Sequence, residues 1–230
     1  DVAGFNASFG FNENGMLSFA DPSGSEAWQI LSPVRMQMHG VQELNRWVQK
    51  RYRAKELHYA TTAWDPSLGD ERIVNHDKVI LTENKERYCY HWTERERQKV
   101  YVANGEVGLA VKLNKGLAVA FAGRENLTFD FRGKEFSERM APLQLAYALT
   151  VHKAQGSEFK KVFVVLPSKT RLLTKELLYT ALTRAKQQLV LFVEGKDVSG
   201  LFDLTKPERS ETARRNTNLF ISSVRPTDEE

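Results

Sequence analysis

The chain has 230 residues, 41% of them apolar, and a formal net charge of +4 with a pI near 9.1. This size and composition predict one globular domain, or one domain with a small insert, and no run is long and apolar enough to span a bilayer. The single cysteine, Cys89, excludes an internal disulfide and is typical of a reducing compartment, so we expect a cytoplasmic protein without a membrane partner. The mild excess of basic residues is compatible with a nucleic-acid partner.

The N-terminal section is predicted to contain a β-hairpin over residues 9–19. Apolar residues alternate on both sides of Asn14-Gly15, and this dipeptide between alternating apolar residues is a strong hairpin signal. We interpret residues 1–27 as this hairpin and a linker from a preceding domain, packed as a flap at a domain edge.

A buried strand is predicted next, at residues 28–33, where Pro33 ends it. A helix follows over residues 41–54, because Val41 and Val48 belong to a set of apolar residues at helical spacing. The other face of this helix is basic, and we interpret it as solvated. The residues of that face are Arg46, Lys50, Arg51 and Arg53.

The middle of the chain has the pattern of β-structure. A strand is predicted over residues 77–84, and three short strands with tight turns are predicted between residues 102 and 131. Short strands at regular spacing are typical of a small barrel or meander. Between these regions, residues 88–99 place aromatic side chains such as Trp92 among basic ones. This pattern suits either a long hairpin with its aromatics packed inward or a platform for stacked bases.

The most informative stretch begins with an apolar strand at residues 145–149. A short polar helix is predicted from Thr150 to Gly156, and a second buried strand follows. Thr150 is a residue type that caps a helix, and Gly156 readily takes the left-handed conformation that ends one. A helix N-terminus at the crevice of an α/β sheet binds anions, and His152 and Lys153 lie in its first turn. We therefore expect a phosphate to bind here.

A later helix is predicted from Thr174, whose side chain can cap it. Arg184 lies near the C-terminal end of this helix, just before a strand at residues 189–193. An arginine in this position can satisfy the last carbonyls and the helix dipole, or it can bind a ligand. The final section, residues 197–230, is predicted to hold one amphipathic helix over residues 207–220 and a tail.

Two of these stretches together resemble a known family. Residues 146–159 resemble motif V of superfamily 1 helicases in its RecD-like form, and residues 178–186 resemble motif VI of the same proteins, in the family's order. A third likeness is the Leu-Ser-Pro-x-Arg segment that ends at Arg35 and precedes a helix. The resemblance covers residues 28–194 and points to the C-terminal part of a DNA helicase of RecD-like or UvrD-like type.

The resemblance implies an α/β fold, in which a RecA-like parallel sheet with flanking helices is interrupted by a small inserted β-barrel. The second RecA-like domain is then split into residues 28–84 and 143–196. The barrel takes up residues 85–142, and a C-terminal helix and tail take up residues 197–230.

Two sequence features of ATP-driven motors are missing from this chain. It lacks the G-x-x-x-x-G-K-S/T loop that cradles nucleotide phosphates, and it lacks an acidic strand-end motif for magnesium. It also begins with Asp1 rather than with Met. We therefore expect the C-terminal part of a longer protein, whose N-terminal RecA-like domain holds Mg²⁺ and the phosphates of ATP. The resemblance implies that this part alone does not hydrolyse ATP.

The resemblance also implies roles for particular side chains. Arg184 is the candidate arginine finger for ATP hydrolysis, and Arg35 is a second contact to the γ-phosphate. Gly156 and Glu158 complete the nucleotide site, where Glu158 accepts a hydrogen bond from the ribose. The predicted contacts to single-stranded DNA, or to a junction of single and double strands, are Thr150, His152, Lys153, Asn84 and Trp92. No metal ligand is expected in this chain.

Two other classes of protein share some of these features. A non-catalytic module that binds single-stranded nucleic acid would keep the helicase fold, but it would have no use for an arginine finger. A plain interaction domain would need both motif likenesses to arise from core packing. Salt-sensitive binding to single strands separates the interaction domain from the other two classes. ATP hydrolysis after the missing domain is added separates the motor from the binding module.

If Trp92 is a stacking platform, Trp92→Ala should weaken the binding of single-stranded DNA by about 1–3 kcal/mol, the usual loss for one stacked base. The measurement is a fluorescence titration of a labelled oligothymidine with each form of the chain. An unchanged affinity would show that Trp92 is not a stacking platform.

Overall fold

The computed structural model describes residues 1–36, 38–61, 67–113, 116–137, 141–167, 173–195, 199–203, 206 and 210. The helices are α1 Val2–Ala7, α2 Val41–Tyr52, α3 Ala54–Tyr59, α4 Lys175–Leu182 and α5 Ser199–Asp203, with 3-10 turns at Ser23–Glu26 and Gly133–Ser137. The strands are β1 Trp28–Ser32, β2 Lys78–Leu81, β3 Lys85–His91, β4 Glu96–Val102, β5 Val107–Leu113, β6 Gly116–Phe121, β7 Leu127–Phe131, β8 Leu143–Leu145, β9 Ala148–Thr150, β10 Phe159–Leu166 and β11 Ala185–Val193.

Four of these strands form a parallel sheet in the order β11-β10-β1-β9. β1 lies between β10 and β9, with Trp28 beside Lys161 and Ser32 beside Thr150. Parallel sheets are covered on their faces, which explains why β1 and β10 are rich in apolar residues. Helix α4 and β10 share one buried cluster, which includes Leu177, Leu178, Ala181, Val162 and Val164. The predicted α/β fold with a parallel sheet is therefore confirmed.

The other seven strands form an antiparallel sheet in the order β4-β3-β7-β6-β5-β2-β8. Phe121 and Phe129 are fully buried against this sheet, with their ring centroids 5.4 Å apart. Among the described residues, β4 and β8 stay at the two ends of this order. The strands thus form an open sheet, and the predicted closed barrel is not confirmed. Strand patterns in a sequence show which face is apolar, but they do not say whether the last strand returns to the first.

Strands β2 and β8, which flank the predicted insert, also belong to the antiparallel sheet. Val79 in β2 lies opposite Gly108 in β5 on one side and opposite Leu145 in β8 on the other. The strand predicted at 77–84 is therefore present, with its partners in this sheet. The domain limits at 28–84, 85–142 and 143–196 stay a prediction.

The N-terminal section begins with the short helix α1 and continues into a tight loop. Only one isolated antiparallel bridge, between Phe11 and Leu17, forms in the region of the predicted hairpin. Gly15 takes the positive φ of 72° that the turn requires. Phe9, Phe11 and Leu17 are buried in the larger apolar cluster, so this section is part of the core.

The C-terminal section is described only in small part. The amphipathic helix predicted at 207–220 lies outside the described residues. None of the helices in the described ranges has the length and apolar character needed to cross a membrane.

The two sheets are joined by a crossover at residues 145–148, where the chain leaves β8 and enters β9. The strand predicted at 145–149 is therefore two strands in two different sheets. The side chain of Asn45 on α2 holds both ends of the crossover. Its amide nitrogen donates to the carbonyls of Leu145 at 3.2 Å and Ala148 at 3.0 Å, and its oxygen accepts the N–H of Ala148 at 2.8 Å.

Two further side chains satisfy the remaining backbone groups of the crossover. The amide nitrogen of Gln29 donates to the carbonyls of Ala146 and Tyr147 at 3.0 and 3.1 Å. A carboxylate oxygen of Glu71 accepts the N–H of Leu145 at 2.5 Å. Buried backbone groups without partners cost free energy, so these contacts allow the chain to change sheets inside the core.

Asp77 forms the centre of a buried polar network beside this crossover. It accepts hydrogen bonds from the Tyr147 hydroxyl at 2.7 Å, from Gln49 at 2.6 Å and from the Val74 N–H at 2.8 Å. The guanidinium of Arg53, which is also fully buried, lies 4.0 Å away. Burial raises the pKa of Asp77 from 3.8 to about 6, although these hydrogen bonds and the Arg53 charge oppose the change.

We expect Asn45→Ala to lower the free energy of unfolding by about 1–3 kcal/mol for each backbone group that loses its partner. The measurement is urea denaturation followed by circular dichroism. Arg51→Ala, at the exposed C-terminal end of the same helix, is the matched control and should stay within about 0.5 kcal/mol of the unmodified chain. A loss no larger than the control's would show that the amide of Asn45 does not support the crossover.

We also expect Asp77 to make the stability depend on pH. The folded state keeps the Asp77 proton up to about pH 6, whereas the unfolded state releases it near 3.8, so this contribution is complete below pH 3.8 and is lost as the pH rises to 6. The loss is about 3 kcal/mol, since one pKa unit corresponds to about 1.4 kcal/mol. Urea denaturation from pH 3.5 to pH 7 should show this decline, and Asp77→Asn should flatten it. Asp130→Asn, at a partly exposed carboxylate, is the control. An equal decline in Asp77→Asn would assign the titration to another group.

Candidate nucleotide and single-strand site

Residues 151–156, between β9 and β10, form hydrogen-bonded turns. Ala154 N–H donates to the carbonyl of Thr150 at 3.1 Å, and Ser157 N–H donates to the carbonyl of Ala154 at 3.1 Å. The predicted helix is therefore wrong, because these residues form a run of turns and not a regular helix. The two terminal signals are nevertheless confirmed. The Thr150 hydroxyl accepts the N–H of Lys153 at 3.2 Å, and Gly156 has a φ of +85°.

This turn segment connects opposite edges of the parallel sheet. Thr150 lies beside Ser32 at the carboxyl ends of the strands, and Phe159 lies beside Ala185 at the amino ends. By the register of β1 and β10, Phe159 lies about six residues along the strand from Ser32. A rise of about 3.3 Å per residue puts these edges roughly 20 Å apart. We call them the carboxyl edge and the amino edge.

Arg184 lies at the amino edge, where its own carbonyl accepts the N–H of Phe159 at 2.9 Å. Its guanidinium donates to the carbonyls of Thr180 at 3.1 Å and Ser157 at 3.2 Å, and to the Thr183 hydroxyl at 3.1 Å. The contact with Ser157 joins the two motif-like stretches directly. In the described part of the chain, no carboxylate forms an ion pair with Arg184, so neutral groups hold its positive charge in place.

Gly156 and Glu158 line a cleft of about 580 Å³ at the same edge. A carboxylate oxygen of Glu158 pairs with the ammonium of Lys186 at 3.2 Å, and both side chains are more than half exposed. The partner of Glu158 in this ion pair comes from β11. The other residues that line the cleft are Glu26, Asn104, Gly105, Glu106, Val107, Ala122, Gly123, Arg124, Gln155 and Ser157.

The predicted strand-binding residues Thr150, His152 and Lys153 lie together at the carboxyl edge, with His152 exposed. The ammonium of Lys153 donates to the side-chain oxygen of Gln144 at 2.6 Å. Burial is the main factor that lowers the pKa of Lys153, and the positive charge of Arg35 lowers it further. This edge therefore carries a hydroxyl, an imidazole and an ammonium within four consecutive residues.

Arg35 lies at the carboxyl edge as well. It lies three residues after Ser32, the last residue of β1, and it is exposed. Its carbonyl accepts the N–H of Gln42, in the first turn of α2, at 3.2 Å. Its charge acts on Lys153, as the pKa of that lysine shows. The structure does not bring Arg35 together with Arg184, although the resemblance places both at the γ-phosphate.

Asn84 and Trp92 lie in the antiparallel part of the chain. The side-chain oxygen of Asn84 accepts the N–H of Asn104 at 2.8 Å, in the turn that lines the cleft of Gly156. Trp92 follows the strand β3, which pairs with β4 as a hairpin. Its ring stacks on Phe19 at 4.8 Å and its indole N–H donates to Thr128 at 3.1 Å, while 39% of the residue stays exposed. Trp92 is thus packed on one side and open on the other.

Sequence reasoning missed the residues that hold these edges in position. Asn45 and Gln29 are buried amides, on α2 and β1 respectively. The sequence gives no signal for their roles, because the crossover groups that they bind lie 100 or more residues away in the chain. The same holds for Glu71, whose partner lies 74 residues away.

The comparisons with known proteins agree with the motif-like stretches. Residues 145–192 match the family model described as UvrD-like helicase C-terminal domain. The chain is 30% identical over 169 residues to the RecBCD enzyme subunit RecD of Haemophilus influenzae. This alignment covers 73% of this chain and 22% of that protein. It is 31% identical over 181 residues to the ATP-dependent RecD2 DNA helicase of Deinococcus radiodurans. This alignment covers 75% of this chain and 21% of that protein. The chain thus spans about a fifth of the length of these curated relatives.

Among solved structures, the Pif1 helicase from Bacteroides in complex with ADP-AlF3 and ssDNA aligns with a TM-score of 0.41 and 16% identity. That alignment covers 80% of this chain and 46% of the other. The family match and the sequence relatives carry the assignment. Residues 145–192 match the UvrD-like helicase C-terminal domain, and about three quarters of the chain is similar in sequence to RecD and RecD2 helicases.

Proposed function

We propose that this chain is the second motor domain of an ATP-dependent DNA helicase, in which it supplies the arginine finger and contacts to single-stranded DNA. The observation that supports this most directly is the path of residues 150–158. This one segment begins among Thr150 and Lys153 at the carboxyl edge and ends at Gly156 and Glu158 beside Arg184. One short element therefore joins a strand-binding edge to a nucleotide-binding edge.

Arg184 acts as the arginine finger. Hydrolysis of ATP spreads negative charge over the transferred phosphoryl oxygens, and a planar guanidinium that is always charged stabilises it. Within the described residues, Arg184 donates to neutral oxygens, so a phosphoryl group offers it stronger, charge-assisted hydrogen bonds. Residues of this kind contribute roughly 10³–10⁵ in rate.

ATP binds between this domain and a P-loop domain elsewhere in the protein. Here Gly156 and Glu158 border the cleft, and Glu158 accepts a hydrogen bond from the ribose after exchanging its partner Lys186. The P-loop domain holds the phosphates and Mg²⁺.

Single-stranded DNA crosses the carboxyl edge. Thr150, His152 and Lys153 contact its phosphates and sugars, which positions the strand without selecting a base sequence. When the ATP cleft closes, the segment of residues 150–158 moves with the nucleotide edge and shifts the strand contacts relative to the other domain. This coupling turns hydrolysis into movement along the strand. The RecD2 relative is named as an ATP-dependent DNA helicase, which supports both ligands. The cytoplasm, where Cys89 stays a free thiol, is the proposed location.

Arg184→Ala, in a protein that joins this chain to its P-loop domain, should lower the rate of ATP hydrolysis by about 10³-fold or more. Binding of an oligothymidine should change little, because Arg184 lies at the amino edge. Steady-state hydrolysis and fluorescence anisotropy measure the two quantities. Arg132→Ala, at an exposed arginine of the antiparallel region, is the matched control. Equal loss of hydrolysis and of strand binding would make Arg184 structural, and the absence of hydrolysis in the unmodified protein would favour the non-catalytic binding module.

A further inference from the structure

We propose that Arg35 and Arg46, together with Lys153, form a basic corner that binds the phosphate backbone of the single strand. Arg35 then serves the strand and not the γ-phosphate. This inference rests on the proposed function and extends its strand contacts from the turn after β9 onto helix α2.

The position of Arg35 in the sheet is the first argument. Arg35 follows the carboxyl end of β1, and Ser32 at that end lies beside Thr150. Arg184 precedes the amino end of β11, and Ala185 lies beside Phe159. The two edges are roughly 20 Å apart along the strands, given a rise of about 3.3 Å per residue. The two arginines thus extend from opposite edges of the parallel sheet, so we assign them to different ligands.

The charges around Glu71 are the second argument. The positive charges of Lys153, Arg35 and Arg46 all act on this carboxylate and oppose the effect of burial, which raises its pKa. Glu71 is itself tied to the crossover through the N–H of Leu145. Three cations from three segments therefore converge on one anchored carboxylate. Together with Glu43, which pairs with Arg46, two carboxylates face these three cations, so the corner keeps an excess of positive charge.

The contacts of the individual cations are the third argument. Lys153 donates to the neutral amide of Gln144, so no carboxylate holds its ammonium at close range. Arg46 pairs with Glu43 at 3.0 Å, but both side chains are more than half exposed. Exposed pairs of this kind contribute about 0–1 kcal/mol, so a phosphate competes with Glu43 at little cost. The guanidinium groups of Arg35 and Arg46 suit bidentate contacts to phosphate.

A cleft next to the corner continues the same surface. It has a volume of about 410 Å³ and lies between α2, α3 and the turn that carries Glu71. Arg46, Lys50 and Arg72 line it together with Asp70 and Glu71, so basic residues outnumber acidic ones. The residues that complete its lining are Gln42, Asn45, Gln49, Leu57 and Leu145. A strand that leaves Thr150 and Lys153 thus meets further cations along α2.

The first test measures the affinity of this chain for an oligothymidine over a range of salt concentrations. Each phosphate contact to a single strand contributes about 0.7 to the slope of log affinity against log salt. We expect Arg35→Ala and Arg46→Ala each to reduce the slope by about this amount, equally for oligothymidine and oligoadenine. Arg35→Lys should keep most of the slope, because it keeps the charge. Arg51→Ala, at an exposed arginine of the same helix that does not line the cleft, is the matched control and should leave the slope unchanged.

The second test separates the two roles of Arg35 in a protein that joins this chain to its P-loop domain. For Arg35→Ala we expect the strand concentration for half-maximal ATP hydrolysis to rise several-fold more than kcat falls. A loss confined to kcat, with the salt slope of binding unchanged, would overturn the inference and return Arg35 to the γ-phosphate. Failure of the proposed function would look different, because the unmodified chain would then show no salt-dependent strand binding or Arg184→Ala would hydrolyse ATP normally.

Discussion

The structure depends on how the chain satisfies its backbone while it passes between two sheets at residues 145–148. Inside a core, an N–H or C=O group that leaves one ladder must find another partner. Here the partners are side chains, namely the amides of Asn45 and Gln29 and the carboxylate of Glu71. Each comes from a different element, so the crossover orders α2, β1 and the turn before β2 around itself. The residues that follow it, from Thr150 onward, take their position from this arrangement.

A second consequence of the crossover is that two buried charges become part of the framework. Asp77 binds the Tyr147 hydroxyl within the crossover, and Lys78 donates to the Trp28 carbonyl and to Gln29 at 2.6 and 2.8 Å. Burial lowers the pKa of Lys78 well below its usual value, as it raises that of Asp77. Two neighbouring residues at the start of β2 thus bind groups of the crossover and of β1 through polar contacts, which apolar packing alone does not provide.

The geometry also underlies the proposal that one domain serves two ligands. The parallel strands give the sheet a carboxyl edge and an amino edge. Residues 150–158 run from Thr150 at the carboxyl edge to Glu158 at the amino edge. In the proposed motor, the arginines divide along the same line. Arg184 is held by neutral oxygens near the nucleotide cleft, whereas Arg35 shares the carboxyl edge with Lys153. Similar side chains therefore take different roles because of the edge on which the chain places them.

Local signals in the sequence determined much of this structure. Thr174 caps α4, Gly156 adopts a positive φ, and β1 and β10 form where apolar runs predict strands, because these features depend on residues a few positions apart. The motif-like stretches likewise identify the helicase family. Only the tertiary structure decided that β2 pairs with β5 and β8, that residues 145–149 belong to two sheets, and that Arg35 lies away from Arg184. These outcomes depend on strand partners and side-chain contacts that are distant in the chain. The spacing of apolar residues in the sequence does not show which distant residues become partners.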